Sequence, residues 1–188
     1  MADPETILVP LAEGFEEIEA VTIIDVLRRA ELPVRVVGLA PGPVRGAHGI
    51  TVGTDGTLDG VDPASLRAIV LPGGMPGTTN LLADERVLFL VRALAASGRC
   101  VAAICAAPLV LAAAGVLGNG PVTSHPSVRA RLHPARVVDA PRVVRAGSLV
   151  TSQGPGTALE FALALVADWR GPSAAAALAT AMLARGVD

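Results

Sequence analysis

Cys105 is the side chain in this sequence best suited to act as a nucleophile. It lies between an apolar run at 100–104 and an alanine-rich segment at 106–114, which predict a strand followed by a helix. A sharp turn between them would expose the sulfur at the sheet edge, and the helix would direct backbone N–H groups and its positive end towards it. These groups favour the thiolate. The alternative is a buried cysteine that only fills space, as we expect for Cys100 in the strand interior.

Glu19 is the second candidate, because it lies on a helix face that should be buried. On a helical wheel of residues 16–30, Glu16 and Glu19 fall on the apolar stripe. A buried carboxylate is unfavourable unless it is paired or protonated, and burial raises its pKa, which would equip Glu19 as a proton donor. The alternative is that acids in the first turn, as we expect for Glu17, only stabilise the positive end of the helix dipole.

Two further segments could serve the same chemistry. Gly73 and Gly74 directly follow the predicted strand 66–71, so their backbone N–H groups could form an oxyanion hole, or the pair could be an ordinary turn. His125 follows a short strand and could act as a base or proton shuttle near the cysteine, or be purely structural. We expect His48 to be exposed in a loop. The spacing of Cys, His and carboxylate residues resembles no zinc site, so we expect no metal.

Strand and helix patterns alternate along the chain, which predicts one domain over residues 1–188 with a doubly wound, mostly parallel sheet. Sites in such sheets lie beyond the carboxyl ends of the strands, where the candidate residues fall. The predicted segments are strands at 6–11, 34–40, 66–71 and 100–104, extended stretches within 43–52, 121–124 and 136–151, and helices at 16–30, 77–82, 84–98, 106–114, 155–169 and from 173 onwards.

Composition argues against several classes of protein. The net charge is −2, no basic stripe occurs, and aromatic residues make up 2% of the chain, which disfavours nucleic-acid binding. The uncharged run 100–117 contains Pro108 and Gly115, so a strand and a helix explain it better than a membrane span. Two cysteines and an N-terminus without a basic signal region indicate a reducing, cytoplasmic setting.

Together these residues resemble the ThiJ/PfpI superfamily, and most closely its Parkinson-associated DJ-one subfamily. The resemblance covers nearly the whole chain, and although each motif alone is modest, their order is highly specific. The motifs are LAEGFEEIE at 11–19, DVLRRA at 25–30, LPGG at 71–74, AAICAAP at 102–108, TSHP at 123–126 and TSQGPGT at 151–157.

The resemblance implies a flavodoxin-like three-layer α/β sandwich with a strand-to-helix nucleophile elbow, and usually a homodimer. It maps the family's reactive cysteine onto Cys105, the protonated acid that hydrogen-bonds the thiolate onto Glu19, and a nearby histidine onto His125. The implied activity is that of a glutathione-independent glyoxalase, which converts methylglyoxal to lactate, or of a related deglycase. The expected partner is therefore a small aldehyde or dicarbonyl, and no cofactor is expected.

The resemblance also places an oxyanion site. The backbone amides of Gly74 and Ala106 match it, and Gly73 and Glu16 complete the expected substrate-binding set. Gln153 stands where close relatives often have arginine, so we expect a pocket for anionic groups to be altered here.

Other functions remain open on the same scaffold. Cys105 could be an oxidisable redox sensor in a stress chaperone, or part of the Cys-His-acid triad of a hydrolase. Proteolytic members of the superfamily have a histidine directly after the cysteine, and this chain has Ala106 there, which weakens the protease interpretation. A specialised biosynthetic enzyme could also reuse the fold.

Overall fold

A computed structural model describes residues 6–184 of the chain. Its longer strands are buried along nearly their whole length, as expected of aliphatic segments covered on both faces. The strands are β1 (Thr6–Leu11), β2 (Val34–Gly38), β3 (Val44–Arg45), β4 (Thr51–Val52), β5 (Leu66–Leu71), β6 (Cys100–Ile104), β7 (Pro121–Val122), β8 (Arg136–Val137), β9 (Val143–Ala146) and β10 (Leu149–Ser152).

The helices alternate with these strands. They are α1 (Glu17–Arg29), α2 (Gly77–Ala83), α3 (Glu85–Ala96), α4 (Pro108–Ala113), α5 (Ala158–Arg170) and α6 (Pro172–Ala181), with short 3-10 helices at Pro63–Ser65, Pro126–Arg131 and Pro155–Thr157.

Six strands form the central sheet in the order β2-β1-β5-β6-β10-β9. Neighbouring strands are parallel except β10 and the edge strand β9. The register pairs Leu71 with Ala103, and Ile104 with Ser152, so β5, β6 and β10 end at the same edge of the sheet. The loops that carry the candidate site residues therefore meet there.

Helices cover both faces of the sheet and complete three layers. The core on one side includes residues of α1, α5 and α6, and the core on the other includes residues of α2, α3 and α4. Both cores are mainly aliphatic, and the largest fully buried side chains are Phe15 and Phe161. The three-layer, mostly parallel fold predicted from the sequence is confirmed.

Several predicted boundaries shift by one to three residues, and three of these shifts have a clear structural cause. The helix predicted from 106 begins at Pro108, because residues 105–107 form a turn before it. The strand predicted over 34–40 ends at Gly38, where the backbone bonds instead to Gly56 and Leu58. The helix predicted from 155 starts as a 3-10 turn and becomes α5 at Ala158.

The uncharged run 100–117 divides into β6, the turn and α4. Within residues 6–184, no helix is both long enough and apolar enough to cross a membrane. A cytoplasmic location remains a prediction.

Candidate active site

Cys105 occupies a sharp turn between β6 and α4. Its φ is +64°, which is unusual for a residue with a side chain and marks local backbone strain. Two hydrogen bonds maintain this conformation: the Cys105 amide donates to the Ser152 carbonyl at 3.0 Å, and its carbonyl accepts from the His125 amide at 2.8 Å. The end of β10 and the loop that follows β7 therefore position the elbow from both sides.

Glu19 lies beside the Cys105 thiol. The residue is completely buried, and its Oε2 accepts a hydrogen bond from the Gly73 amide at 2.7 Å. The thiol is within hydrogen-bonding reach of the carboxyl group. The other oxygen, Oε1, has no well-aligned hydrogen bond to any group among residues 6–184. The pair is thus enclosed, and one carboxyl oxygen is left to interact with the sulfur.

Gly73, in the loop after β5, allows the Glu19 carboxyl group and the Cys105 side chain to pack closely against the loop backbone. A Cβ at this position would lie 2.7 Å from the Cβ of Cys105 and 2.9 Å from Oε2 of Glu19. Both distances are shorter than van der Waals contact, so any side chain would push the pair apart. Glycine at 73 is therefore a steric requirement of the site.

Two backbone amides point at the sulfur. Hydrogen bonding from the Gly74 and Ala106 amides to the thiol opposes the larger effect of burial, which raises the pKa of Cys105. The two amides come from the loop after β5 and from the turn after β6, whose ends the sheet register brings together. The structure thus places the predicted oxyanion amides next to the predicted nucleophile.

Burial and mutual repulsion control the charges of the pair. Burial raises the pKa of Glu19 to about 7. Burial also raises the pKa of the Cys105 thiol, and the negative charge of Glu19 raises it further. The effect of the Glu19 charge on the pKa of Cys105 disappears when Glu19 is protonated. The neutral acid does not repel the thiolate and can donate a hydrogen bond to it. The pair therefore favours a single negative charge and one shared proton.

His125 is exposed, and its ring is held by its own loop. The Ser127 amide donates to Nδ1 at 3.3 Å, and the Ser127 hydroxyl lies 2.7 Å from the same nitrogen. Since Nδ1 accepts the amide proton, the neutral ring carries its hydrogen on Nε2. Among the described residues, no hydrogen bond joins the ring to Cys105. His125 can therefore offer an N–H donor, but it is not aligned to deprotonate the thiol.

The loop after β10 supports the elbow. The hydroxyl of Thr157 accepts hydrogen bonds from the amides of Gln153 and Gly154, and it lies 2.7 Å from the Ser152 hydroxyl. The Gln153 side chain donates to the Asp139 carbonyl at 2.6 Å. The motif at 151–157 thus has a structural role behind the site.

Glu17 and His48 make a contact that is not predicted from the sequence. The sequence predicts that Glu17 only stabilises the positive end of the helix dipole, but the side chain is buried, at 4% exposure, and its Oε2 lies 2.9 Å from Nδ1 of His48. His48 is exposed as expected, on the β3–β4 hairpin. Its hydrogen bond to Glu17 raises the pKa of His48. The two residues are 31 positions apart in sequence, so no local pattern predicts this pairing.

Glu16 lies next to this contact, with Oε2 at 3.6 Å from Nδ1 of His48. Within residues 6–184, Glu16, Glu17 and His48 are the only three side chains that offer metal-ligating atoms within 4.8 Å of one another. The Glu17 carboxylate already accepts two backbone amides there. The absence of a resident metal remains a prediction.

Known proteins are similar to this chain in both sequence and fold. The DJ-1/PfpI family matches residues 5–168 of the chain. The chain belongs to this family.

Individual relatives of the DJ-1/PfpI family agree with this assignment. Protein dj-1beta of Drosophila melanogaster is 41% identical over 166 residues, which cover 87% of this chain and 89% of the relative. A crystal structure of Drosophila DJ-1beta superposes with a TM-score of 0.91 at 39% identity, covering 95% of this chain and 97% of that one. A Caenorhabditis elegans protein named glutathione-independent glyoxalase DJR-1.2 is 37% identical over 168 residues, or 88% of each chain.

The raised pKa of Glu19 predicts how stability depends on pH. Between pH 4.5 and about 7 the folded protein holds a proton that the unfolded chain has released, so stability falls as the pH rises through this window. At about 1.4 kcal/mol per pKa unit, this contribution amounts to roughly 3 kcal/mol. We expect Glu19→Gln to remove this pH-dependent contribution to the free energy of unfolding. The measurement is urea unfolding of the wild type and of Glu19→Gln from pH 4.5 to 8.

Glu85→Gln is the matched control, because the Glu85 side chain is 80% exposed. It should leave the wild-type pH dependence intact. Equal pH slopes for wild type and Glu19→Gln would show that Glu19 has an ordinary pKa in the folded protein.

Proposed function

We propose that this protein converts methylglyoxal to lactate without glutathione, with Cys105 as nucleophile and Glu19 as proton carrier. The observation that carries the proposal is the enclosed contact between the Glu19 carboxyl group and a thiol that two backbone amides also face. The name of the Caenorhabditis elegans relative supports the choice of reaction. Every step uses groups of the protein and water, so no cofactor is required.

The first step joins the sulfur to the substrate. The Cys105 thiolate attacks the aldehyde carbon and forms a C–S bond, while the carbonyl π-electrons move to oxygen. The amides of Gly74 and Ala106 are placed to stabilise this alkoxide. Glu19 then transfers its proton to the oxygen, which yields a neutral hemithioacetal and a carboxylate.

The second step moves hydrogen between adjacent carbons. The Glu19 carboxylate removes the proton from the former aldehyde carbon and returns it to the neighbouring ketone carbon through an enediol, while the oxygens exchange their protons. The product is a thioester of lactate on Cys105. Water cleaves this thioester, which releases lactate and a proton and restores the Cys105 thiolate and the protonated Glu19. Methylglyoxal and one water thus give lactic acid, with no external oxidant or reductant.

His125 is assigned a supporting role as donor. Its Nε2–H can hydrogen-bond to the second carbonyl oxygen of the substrate and favour the enediol. The same tautomer weighs against a peptidase. A cysteine peptidase needs a histidine nitrogen that accepts the thiol proton, and here Nδ1 is occupied by Ser127.

A deglycase would use the same thiol and acid, and so would a redox sensor. The amides of Gly74 and Ala106 that face the sulfur could equally bind the oxygens of an oxidised Cys105. Substrate turnover separates these functions. Rapid peroxide oxidation of Cys105 without turnover of methylglyoxal would favour the redox role.

The direct test is lactate formation from methylglyoxal in the absence of glutathione. We expect turnover by the wild type, loss of turnover in Cys105→Ala, and a decrease of at least about 100-fold in Glu19→Gln, because general acid–base groups contribute factors of this size. Cys100→Ala is the matched control: burial raises the pKa of Cys100 to about 12, and its removal should leave turnover near the wild-type rate.

Two results would contradict the proposal. Wild-type turnover no faster than in buffer would exclude the glyoxalase activity. Full turnover by Cys105→Ala would leave the activity in place but exclude this mechanism.

We also propose that the protein is a homodimer, associated through the outer face of α1. Ile18 and Val21 on this helix are 58% and 47% exposed, and Ile50 on the adjoining hairpin is 57% exposed. The Ile50 amide bonds to Glu17, so these apolar side chains belong to one region of the surface. Exposed apolar side chains grouped in this way support an interface between two copies of the chain.

Ile18→Glu should convert the dimer to a monomer, because association would bury the new charge. Light scattering after gel filtration would then give 18.9 kDa instead of twice this mass. Phe89→Glu is the control, since Phe89 is 56% exposed on α3, in the opposite helical layer. A wild-type monomer, or equal dissociation by both substitutions, would refute this interface.

A further inference from the structure

Glu17 connects the candidate site to the β3–β4 hairpin. Its Oε1 accepts the amide of His48 at 2.6 Å and the amide of Ile50 at 3.3 Å, and its Oε2 lies 2.9 Å from Nδ1 of His48. One buried carboxylate therefore binds three N–H groups of a segment that is distant in sequence. The donors outweigh the effect of burial, and the net pKa of Glu17 lies below its ordinary value.

The hairpin accommodates this carboxylate at close range. A side chain at Gly46 would overlap the carboxyl group of Glu17, so the turn approaches it only because residue 46 is glycine. Backbone bonds strengthen the contact: the Gly14 amide donates to the Arg45 carbonyl, and the Ala47 amide donates to the Phe15 carbonyl, both at 2.8 Å. The hairpin is thus fixed to the residues that lead into α1.

The opposite side of the same turn is fixed to the site. The Glu16 amide donates to the Gly73 carbonyl at 2.9 Å, while the Gly73 amide donates to Glu19 at 2.7 Å. Glu17 and Glu19 are two residues apart, so they project about 200° apart around the helix. The first turn of α1 is therefore held between the hairpin, through Glu17, and the Gly73 loop, through Glu19.

We infer that Glu17 is a positioning residue for Glu19: its bonds to the hairpin determine the rotation of the first turn of α1, and thereby the contact between the Glu19 carboxyl group and the Cys105 thiol. This inference rests on the proposed function for its kinetic consequence. The structural part of the inference, which is that Glu17 positions the Glu19 carboxyl group against the Cys105 thiol, does not depend on the identity of the substrate. His48 supports Glu17 from the surface with a single side-chain donor.

The test compares two substitutions of Glu17. Glu17→Ala removes all three hydrogen bonds, and we expect kcat for methylglyoxal to fall at least about tenfold with little change in KM, because a misplacement near 1 Å can reduce a rate by about 100-fold. Glu17→Gln keeps an oxygen for the two backbone amides, and should restore kcat to within about threefold of wild type. Glu85→Ala, at an exposed position on α3 in the opposite helical layer, should leave kcat unchanged.

A second readout does not depend on turnover. The pH dependence of Cys105 alkylation by iodoacetamide should shift in Glu17→Ala in the same direction as in Glu19→Ala, and Glu17→Gln should restore it. This holds even if methylglyoxal is not the substrate, so failure of the glyoxalase proposal is distinguishable from failure of this one.

His48→Ala covers the case in which Glu17→Ala does not fold, because the His48 side chain is 69% exposed and its loss leaves the backbone bonds in place. It should shift the alkylation profile less than, but in the same direction as, Glu19→Ala. An unchanged profile in folded Glu17→Ala, or in His48→Ala where Glu17→Ala is unfolded, would overturn the inference. Failure of folded Glu17→Gln to restore the profile would do the same.

Discussion

The interaction on which this structure depends is the enclosed contact between a carboxyl group and a thiol. Two negative charges in that space repel each other strongly, because burial leaves little water to screen them. Burial therefore raises the pKa of Glu19 to about 7, and burial together with the negative charge of an ionised Glu19 raises the pKa of the Cys105 thiol. The proposed reaction follows from this constraint: whenever the negative charge passes from the sulfur to the substrate oxygen or to the Glu19 carboxylate, a proton must also be transferred.

The surroundings of the pair serve to maintain this contact. Cys105 has a strained backbone conformation in the elbow. Gly73 has no side chain, which allows the carboxyl group and the thiol to approach each other. The parallel register of β5, β6 and β10 brings the loops to one edge of the sheet. Glu17 fixes the first turn of α1, which carries Glu19, to the β3–β4 hairpin. Strain in the elbow is offset by packing, since the turn is bounded by α4 and by both buried cores.

Much of this arrangement could be predicted from local sequence. Strand and helix periodicity predicted the layered fold, and an acid on the apolar stripe of α1 indicated a special role for Glu19. The elbow at Cys105 followed from its place between a strand and a helix. Local patterns could not reveal contacts made by distant segments. Glu17 was therefore interpreted as a helix-dipole residue, whereas its partners lie on the hairpin at His48 and Ile50. The tautomer of His125 likewise depends on Ser127 and on the conformation of its loop.

The most direct test of the shared proton is the ionisation of Cys105 itself, followed by the ultraviolet absorbance of the thiolate. It should be measured across pH in a Cys100→Ala background and compared with the same protein carrying Glu19→Ala. If protonated Glu19 donates a hydrogen bond to the thiolate, its removal should raise the pKa of Cys105 by about one to two units, since a charge-assisted hydrogen bond contributes about 1.5–3 kcal/mol. If Glu19 were only a repelling carboxylate, its removal would lower the pKa of Cys105, and that result would contradict the account.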